Sequence, residues 1–195
     1  MKNKIILNFF LLISIIGYSC TCTDLADIPV LERINSTEQI FEGIITEVKS
    51  ESEFDLTAEF LITRKIKGVN TLDTIKIRTS KIGSMCGIDF KIGQKWLIFS
   101  SSNYSGICNG NVILEKGTLN EFPNTKVPNE YKFYFSKLKN FLNKISALDS
   151  VTEITEYDQN DNVIAKGKIG KNKRPLGKWF YADIRKEDII IEQKN

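Results

Sequence analysis

Apolar and polar residues alternate along much of the first half of the chain, as they do in half-buried β-strands. In the clearest example, Leu72–Thr79, the side chains of Ile75 and Ile77 fall on one face and those of Lys76 and Arg78 on the other. A short helix is expected before these segments, around 25–34. Five short strands with turn residues between them predict a small β-barrel or sandwich. The predicted strands are Gln39–Val48, Asp55–Ile66, Leu72–Thr79, Gln94–Ser101 and Asn111–Glu115.

The period of the pattern changes in the second half of the chain. Between Tyr131 and Leu148, apolar residues recur every three to four positions with lysines between them, and Pro128 precedes the run. This spacing is typical of an amphipathic α-helix. A lysine-rich helix can lie on a membrane surface, but packing on the protein's own barrel is the commoner arrangement and the one we expect.

The residues after about 150 return to a strand-like pattern. Two strands, Glu153–Tyr157 and Val163–Ile169, flank a strong turn at 158–162, and a second turn at 171–175 leads into Gly177–Tyr181. The Gly-Lys-Trp-Phe-Tyr sequence of that last segment resembles a single MORN-like repeat. A plain extension of two or three strands fits the same residues equally well.

The first 19 residues are built like a secretory leader. Two lysines precede an apolar run from Ile5 to Ile16, and small residues stand one and three positions before Cys20. The run of about 12 residues is short against the ~20 that a bilayer core needs. We therefore expect export with removal of residues 1–19 as a signal peptide. A bacterial lipoprotein signal would be cut at the same bond, so either route makes Cys20 the first mature residue.

Composition and charge exclude several classes of function. The 195 residues include 27 Lys and Arg against 24 Asp and Glu, a balance that does not favour nucleic acid as a partner. The chain has no histidine, so Ser-His or Cys-His nucleophilic sites and histidine-ligated zinc are impossible within it. It also lacks a recognisable carboxylate catalytic motif and a glycine-rich phosphate loop. We expect a protein that is not an enzyme and has neither a cofactor nor a metal of its own.

Four cysteines follow the leader, and an even number in an oxidising compartment predicts two disulfides with three possible pairings. Cys20 and Cys22 lie on the same side of an extended segment, where a bond between them would be strained. Each is therefore expected to bond to Cys86 or Cys108, closing loops of 64 to 88 residues. Such a bridge stabilises the fold by roughly 4 kcal/mol in the chain-entropy model. A zinc site is the alternative, but the chain has no CxxC pair.

The cysteine pattern resembles that of the tissue inhibitor of metalloproteinases (TIMP) family, within the wider group of netrin-like (NTR) domains. The resemblance rests on Cys20-Thr21-Cys22 at the predicted mature N-terminus and on the order and spacing of all four cysteines. It covers roughly residues 20–116. Two features of the animal inhibitory domains are missing, namely their third disulfide and the proline that commonly follows CxC. Shorter matches are Ile40–Gly43, Phe60 with Lys67-Gly68, Ile75–Thr79, Met85–Gly87, Gly93 with Trp96–Phe99, and Gly106–Cys108.

The resemblance implies a mainly β protein containing a five-stranded OB-like barrel with a packed C-terminal amphipathic helix. Together with the leader and the strand-like C-terminal pattern, it divides the chain into a signal peptide (1–19), this domain (20–149) and a small β-hairpin extension (150–195). The disulfides that it implies are Cys20–Cys86 and Cys22–Cys108.

The resemblance also implies a mechanism of inhibition. The α-amino group and carbonyl oxygen of Cys20 would chelate the catalytic zinc of a target metalloprotease and displace the water that the metal activates. The Thr21 side chain would enter the pocket beside the zinc. A flanking ridge would consist of Cys22, Thr23, Asp24, Leu25, Met85, Cys86 and Gly87.

Two other interpretations use the same residues. The CxC pair could serve only to hold the first segment against the barrel. If Cys20 is lipidated, its sulfur cannot enter a disulfide and acylation of its amine removes the chelate. The protein would then be a membrane-anchored lipoprotein that serves as a non-catalytic binding or structural module. We accordingly expect an exported protein, secreted or periplasmic in the first case and at the cell surface in the second.

Overall fold

The computed structural model of the protein describes residues 22, 27–81, 86–114, 118–119, 129–182 and 191–194. The described chain is mainly β, as the pattern predicts, with two helices of more than one turn. In chain order the elements are α1 (Val30–Ser36), β1 (Gln39–Ser50), β2 (Asp55–Lys67), β3 (Thr74–Ser80), β4 (Lys95–Ser100), β5 (Val112–Ile113), β6 (Thr118–Leu119), α2 (Asn129–Ser146), β7 (Thr152–Tyr157), β8 (Val163–Ile169), β9 (Pro175–Ala182) and β10 (Ile191–Lys194).

The first six strands form one antiparallel sheet in the order β3-β2-β1-β4-β5-β6. The long strands β1 and β2 pair irregularly, and one of their register shifts lies between Glu42 and Gly43. A Cβ on Gly43 would lie 3.0 Å from the carbonyl oxygen of Leu61 on β2, so the two backbones approach closely there. Among the described residues, β3 and β5 are not paired with each other, and the sheet is not a closed barrel.

The predicted strands are confirmed, with changes at the fifth. Strand β5 is shorter than Asn111–Glu115, and the additional strand β6 pairs with it. Strand β5 begins one residue later than predicted because Asn111 contacts β4 through its side chain. The Oδ1 atom of Asn111 accepts the Phe99 N–H at 2.9 Å. The first helix in the described part of the chain, α1, runs from Val30 to Ser36 and so begins later than the helix expected around 25–34.

One face of the sheet carries a cluster of buried apolar residues, which we call the inner core. All of the first five strands contribute to it, through residues such as Phe41, Phe60, Ile77, Trp96 and Ile113. Four aromatic rings follow one another edge to face through this cluster, with centroid separations between 5.2 and 5.6 Å. This geometry adds to the stabilisation from burial.

The other face of the sheet forms a second cluster, the outer core, together with α1, α2 and the C-terminal strands. Helix α2 covers this face with its apolar stripe, which includes Leu138, Leu142 and Ile145. The expectation that the lysine-rich helix packs on its own sheet is therefore confirmed. Ile40 and Phe99 supply the sheet's side of the contact.

The C-terminal extension is larger than the predicted hairpin, because its strands form a four-stranded sheet in the order β10-β9-β8-β7. The prediction missed β10, which pairs with β9. Trp179 is buried in the outer core, and Gly167 makes room for it, since a Cβ there would lie 2.2 Å from the indole ring. The turn predicted at 158–162 is present, with Asp158 accepting the backbone N–H groups of Asn160 and Asn162.

Candidate functional site

A disulfide joins Cys22 to Cys108, with their Cα atoms 5.2 Å apart. This is one of the two pairings that the family resemblance implies, and it is confirmed. Cys86 is also disulfide-bonded, while its expected partner, Cys20, lies outside the described residues. No cysteine in the described part of the chain is a free thiol.

The two loops that carry Cys86 and Cys108 lie side by side. The Cys86 carbonyl oxygen accepts the backbone N–H of Ile107 at 2.8 Å. A Cβ on Gly87 would lie 1.8 Å from the carbonyl oxygen of Ser80, so only glycine fits where this loop crosses the end of β3. The cysteine loops are therefore fixed against each other and against the sheet.

The described part of the predicted ridge is small but contiguous. Cys22 is bonded to the Cys108 loop, and Cys86 with Gly87 forms the loop next to it. Chelation by Cys20 and insertion of Thr21 stay predictions, because both residues lie outside the described part of the chain. The other ridge residues outside it are Thr23, Asp24, Leu25 and Met85.

Helix α1, which follows the cysteine segment, is held at its N-terminus by a buried carboxylate. Glu156 of β7 is 2% exposed, and its two carboxylate oxygens accept the N–H groups of Val30 at 3.1 Å and Leu31 at 2.9 Å. These donors have no partner within the helix, and the N-cap residue is Pro29, whose side chain cannot accept them. Burial raises the pKa of Glu156, while these two hydrogen bonds and the nearby Lys137 oppose that rise.

The C-terminus of α1 is held by a buried cation. Lys67, the last residue of β2, is 3% exposed, and its Nζ donates to the carbonyl oxygens of Ile34 at 2.7 Å and Asn35 at 3.2 Å. A cation is favourable at this end of a helix dipole. Burial, and to a lesser extent the nearby charge of Arg174, lower the pKa of Lys67 to about 8, while the charge of Glu38 opposes this shift.

A third contact joins α1 directly to a cysteine loop. Arg33 is buried, and its Nη1 donates to the carbonyl oxygen of Asn109 at 3.3 Å. Its guanidinium group also lies 5.9 Å from the centre of the Tyr134 ring on α2, within the range of a cation–π interaction. We call Glu156, Lys67 and Arg33 together the α1 clamp, because they hold this short helix at both ends and on one side.

Beside the disulfide lies a polar cavity of about 290 Å³. Its lining includes Glu32, Arg33, Ser101, Cys108 and Asn109, so Arg33 of the α1 clamp and Cys108 of the disulfide line the same cavity. Within the described ranges, no group of three or more acidic or cysteine side chains could hold a metal ion. None of the described helices is both long and apolar enough to cross a membrane.

No protein-family model matches the sequence, and no curated protein matches it at a significant level. The comparisons therefore neither support nor oppose the resemblance to TIMP-like domains.

Sequence reasoning did not identify the α1 clamp. Glu156 carries a weak signal, because it alternates with Ile154 on the inward face of β7, where an acid is unexpected. Lys67 directly follows the buried Ile66 and precedes a turn glycine, a position that is also compatible with an ordinary surface lysine. Their roles depend on distant segments that the local pattern does not reveal.

Proposed function

We propose that this protein is an exported, non-catalytic TIMP-like inhibitor whose first mature residue, Cys20, binds the catalytic zinc of a metalloprotease. The observation that carries the proposal is the Cys22–Cys108 disulfide, the pairing that the family resemblance implies. Cys86 supports it, since this residue is also disulfide-bonded and lies beside the Cys108 loop.

We further propose that the first five strands form an OB-like barrel. Strand β1 pairs with both β2 and β4, β4 pairs with β5, and β6 takes the other side of β5, so the gap in the sheet lies between β3 and β6. The residues after β4 line this gap, because Arg78 of β3 exchanges backbone hydrogen bonds with Asn103 and Ser105. The inner core, to which all five strands contribute, is the expected filling of such a barrel.

The chemistry of inhibition follows from the properties of a chain terminus. An unprotonated α-amine and the adjacent carbonyl oxygen form a bidentate ligand for a zinc ion that has an open coordination position. Binding displaces the water that the protease would otherwise activate. A disulfide at the chelating residue reduces the entropy that a free terminus would lose on binding. The neighbouring Cys22–Cys108 bond would restrict the same segment.

The alternative function is that of a lipid-anchored binding module. It is favoured by the position of Cys20, which directly follows a leader that a lipoprotein signal peptidase could also cut. The two functions need different chemistry at one residue, because a lipid thioether and a disulfide compete for the same sulfur.

The test is an inhibition assay with two forms of the mature chain. One form begins at Cys20, and the other carries a single additional Ala before it. Each is titrated against a panel of zinc metalloproteases with a fluorogenic peptide substrate. We expect the first form to inhibit at least one protease and the extended form to be about 100-fold weaker, because the amine no longer reaches the metal.

An Ala added at the C-terminus is the matched control and should leave inhibition unchanged. Equal thermal unfolding of the three forms would show that the fold is intact. Equal inhibition by the two N-terminal forms would contradict chelation. Failure of the Cys20 form against the whole panel would favour the lipid-anchored module.

A further inference from the structure

A groove of about 510 Å³ lies between α2 and the outer face of the first sheet. We call it the α2 groove. Its apolar lining comes from both sides and includes Leu97, Val112, Leu114, Phe135, Leu138 and Leu142. None of the described residues that line it is a cysteine, so it is separate from the proposed inhibitory segment.

The groove follows from the way α2 lies on the sheet. The backbone of α2 is close to α1 and β2 but makes little contact with β4 or β5. Arg64 of β2 fixes the end of the helix on that side, since its Nη2 donates to Asn143 Oδ1 at 2.8 Å and to Ser146 Oγ at 3.0 Å. The space between α2 and the β4–β5 side of the sheet therefore stays open.

The apolar lining of the α2 groove can be reached from solvent. Leu97 and Val112 are each 6% exposed, and Leu114 and Phe135 are half-buried. Concave sites with accessible apolar surface and a few polar groups at their margin are typical of ligand-binding pockets. An alkyl chain in this groove would remove the remaining apolar surface from water.

The charged residues of the groove favour an anionic ligand. Its described lining contains one acid, Glu42, and three cations, Arg64, Lys132 and Lys139. Glu42 already pairs with Arg64 at 3.0 Å, and its other carboxylate oxygen lies 3.6 Å from Lys95. Lys139 is exposed and makes no ion pair or hydrogen bond with the described residues. The lining therefore has an excess of positive charge, with Lys139 accessible to an anion.

Helical spacing places these lysines beside the apolar surface. Lys132, Phe135, Lys139 and Leu142 recur every three to four residues, so they lie along one side of α2. The stem of a lysine can pack on apolar surface while its ammonium group stays in water. A ligand whose alkyl chain lies in the groove would therefore meet a cation at its water-exposed end.

We propose that the α2 groove binds a single-chain alkyl carboxylate, that is, a fatty acid. The Nζ of Lys139 pairs with the carboxylate, and the charge of Lys132 adds to the attraction. The alkyl chain lies between the apolar side chains of α2 and those of β4 and β5.

The first test measures binding of decanoate to the mature chain by calorimetry, at concentrations below its micellar range. Hexanoate lacks four of its methylene groups, and each buried methylene strengthens binding about fourfold. We therefore expect decanoate to bind on the order of 100-fold more tightly than hexanoate. Decanol has the chain without the charge and should bind about fivefold more weakly than decanoate.

Lys139→Glu is the informative variant, because this residue is exposed and lines the groove. Lys144→Glu is the matched control, since Lys144 is exposed on the same helix but does not line the groove. We expect K139E to bind decanoate about tenfold more weakly and K144E to bind it like the wild type.

A second variant, Leu114→Trp, fills the groove with a larger side chain and should abolish decanoate binding. Leu61→Trp, at an exposed position of β2, is its control and should leave binding unchanged. Thermal unfolding of both variants shows whether the fold is intact. The comparison of K139E with K144E decides the question if L114W is destabilised.

The proposal is overturned if decanoate does not bind, if hexanoate or decanol binds as tightly, if K139E and K144E lose equal affinity, or if folded L114W still binds decanoate. Binding to phosphatidylglycerol vesicles without binding to decanoate would contradict it and indicate a membrane surface as the partner. A dimer that L114W converts into a monomer, again without decanoate binding, would assign the groove to a second copy of the chain.

Discussion

The inner core and the α1 clamp stabilise the protein in opposite ways. The inner core consists of apolar side chains from all of the first five strands, including four rings in edge-to-face contact. The α1 clamp places charged groups in the interior, where Glu156 and Lys67 are almost completely buried. The first region gains stability from surface removed from water. The second must offset the desolvation of its charges with specific hydrogen bonds.

This difference distinguishes interactions that stabilise the fold as a whole from interactions that fix the position of one element. Burying apolar surface is non-directional, so the inner core stabilises the sheet without fixing any one loop. Each contact of the α1 clamp is directional and joins the short helix to a distant element, namely β7, β2 or the Cys108 loop. Through Arg33 the clamp also joins α1 to the loop to which Cys22 is bonded.

The largest effect is expected from the inner core. Phe60→Ala removes a fully buried ring that contacts both Phe41 and Phe90. It should lower the free energy of unfolding by about 4 kcal/mol, through lost burial and the cavity that remains. Denaturant unfolding measures this change. Leu61→Ala, on the neighbouring residue that is 46% exposed, is the control and should cost less than about 1 kcal/mol. Similar losses in the two variants would contradict the assignment of faces on β2.

A somewhat smaller effect is expected at the N-terminal end of the clamp. Glu156→Ala leaves the Val30 and Leu31 N–H groups without an acceptor and should cost about 3 kcal/mol. Glu153→Ala is the control on the same strand, because it removes only an exposed ion pair with Lys166. Equal unfolding free energies for these two variants would refute the capping role of Glu156.

The Glu156 carboxylate also predicts a pH dependence with a definite sign. Because burial raises its folded-state pKa above 4.5, the folded state holds this proton more tightly than the unfolded state. The contribution of Glu156 to stability is therefore greatest below pH 4.5 and falls as the pH rises through the raised pKa. Glu156→Gln should lack this component, which is measured as the difference between the two unfolding curves across pH. A difference that does not vary with pH would contradict the raised pKa.

The smallest effect is expected at Lys67, at the other end of the α1 clamp. Here the free energy of unfolding changes with pH in the opposite direction to the change expected at Glu156. The pKa of Lys67 is lowered from 10.5 to about 8, so the unfolded chain binds the proton more tightly between these values. The free energy of unfolding should therefore rise with pH in this window, by on the order of 2 kcal/mol. The measurement compares the wild type with Lys67→Met, which cannot titrate. Parallel pH profiles for the two proteins would rule out this linkage.

Much of the fold can be predicted from the sequence because it depends on local periodicity. In β3, for example, Ile75 and Ile77 are buried while Lys76 and Arg78 are exposed, as strict alternation requires. The long helix follows equally directly from its apolar spacing and its proline boundary. Strand β6 and strand β10 were missed. The first is only two residues long, too short for a periodic pattern to register.

The candidate site is predicted less completely, because its parts come from distant positions. The cysteine count limits the disulfides to three pairings, and the family resemblance selects the one that contains Cys22–Cys108. No local pattern could show that Glu156 reaches the start of α1, since 125 residues separate it from Leu31. The same holds at the other end of this helix, where Lys67 donates to the carbonyl oxygen of Ile34, 33 residues away in the chain.

The central claim is that Cys20 begins the mature chain with a free amine and a disulfide-bonded sulfur. Peptide mass mapping of the protein from its native host, under non-reducing and reducing conditions, tests this most directly. We predict an unmodified N-terminal peptide that begins at Cys20 and is linked to the peptide containing Cys86, with Cys22 linked to Cys108. An N-terminal peptide whose mass is increased by acyl chains, accompanied by a free Cys86 thiol, would contradict the claim and identify a lipid-anchored module.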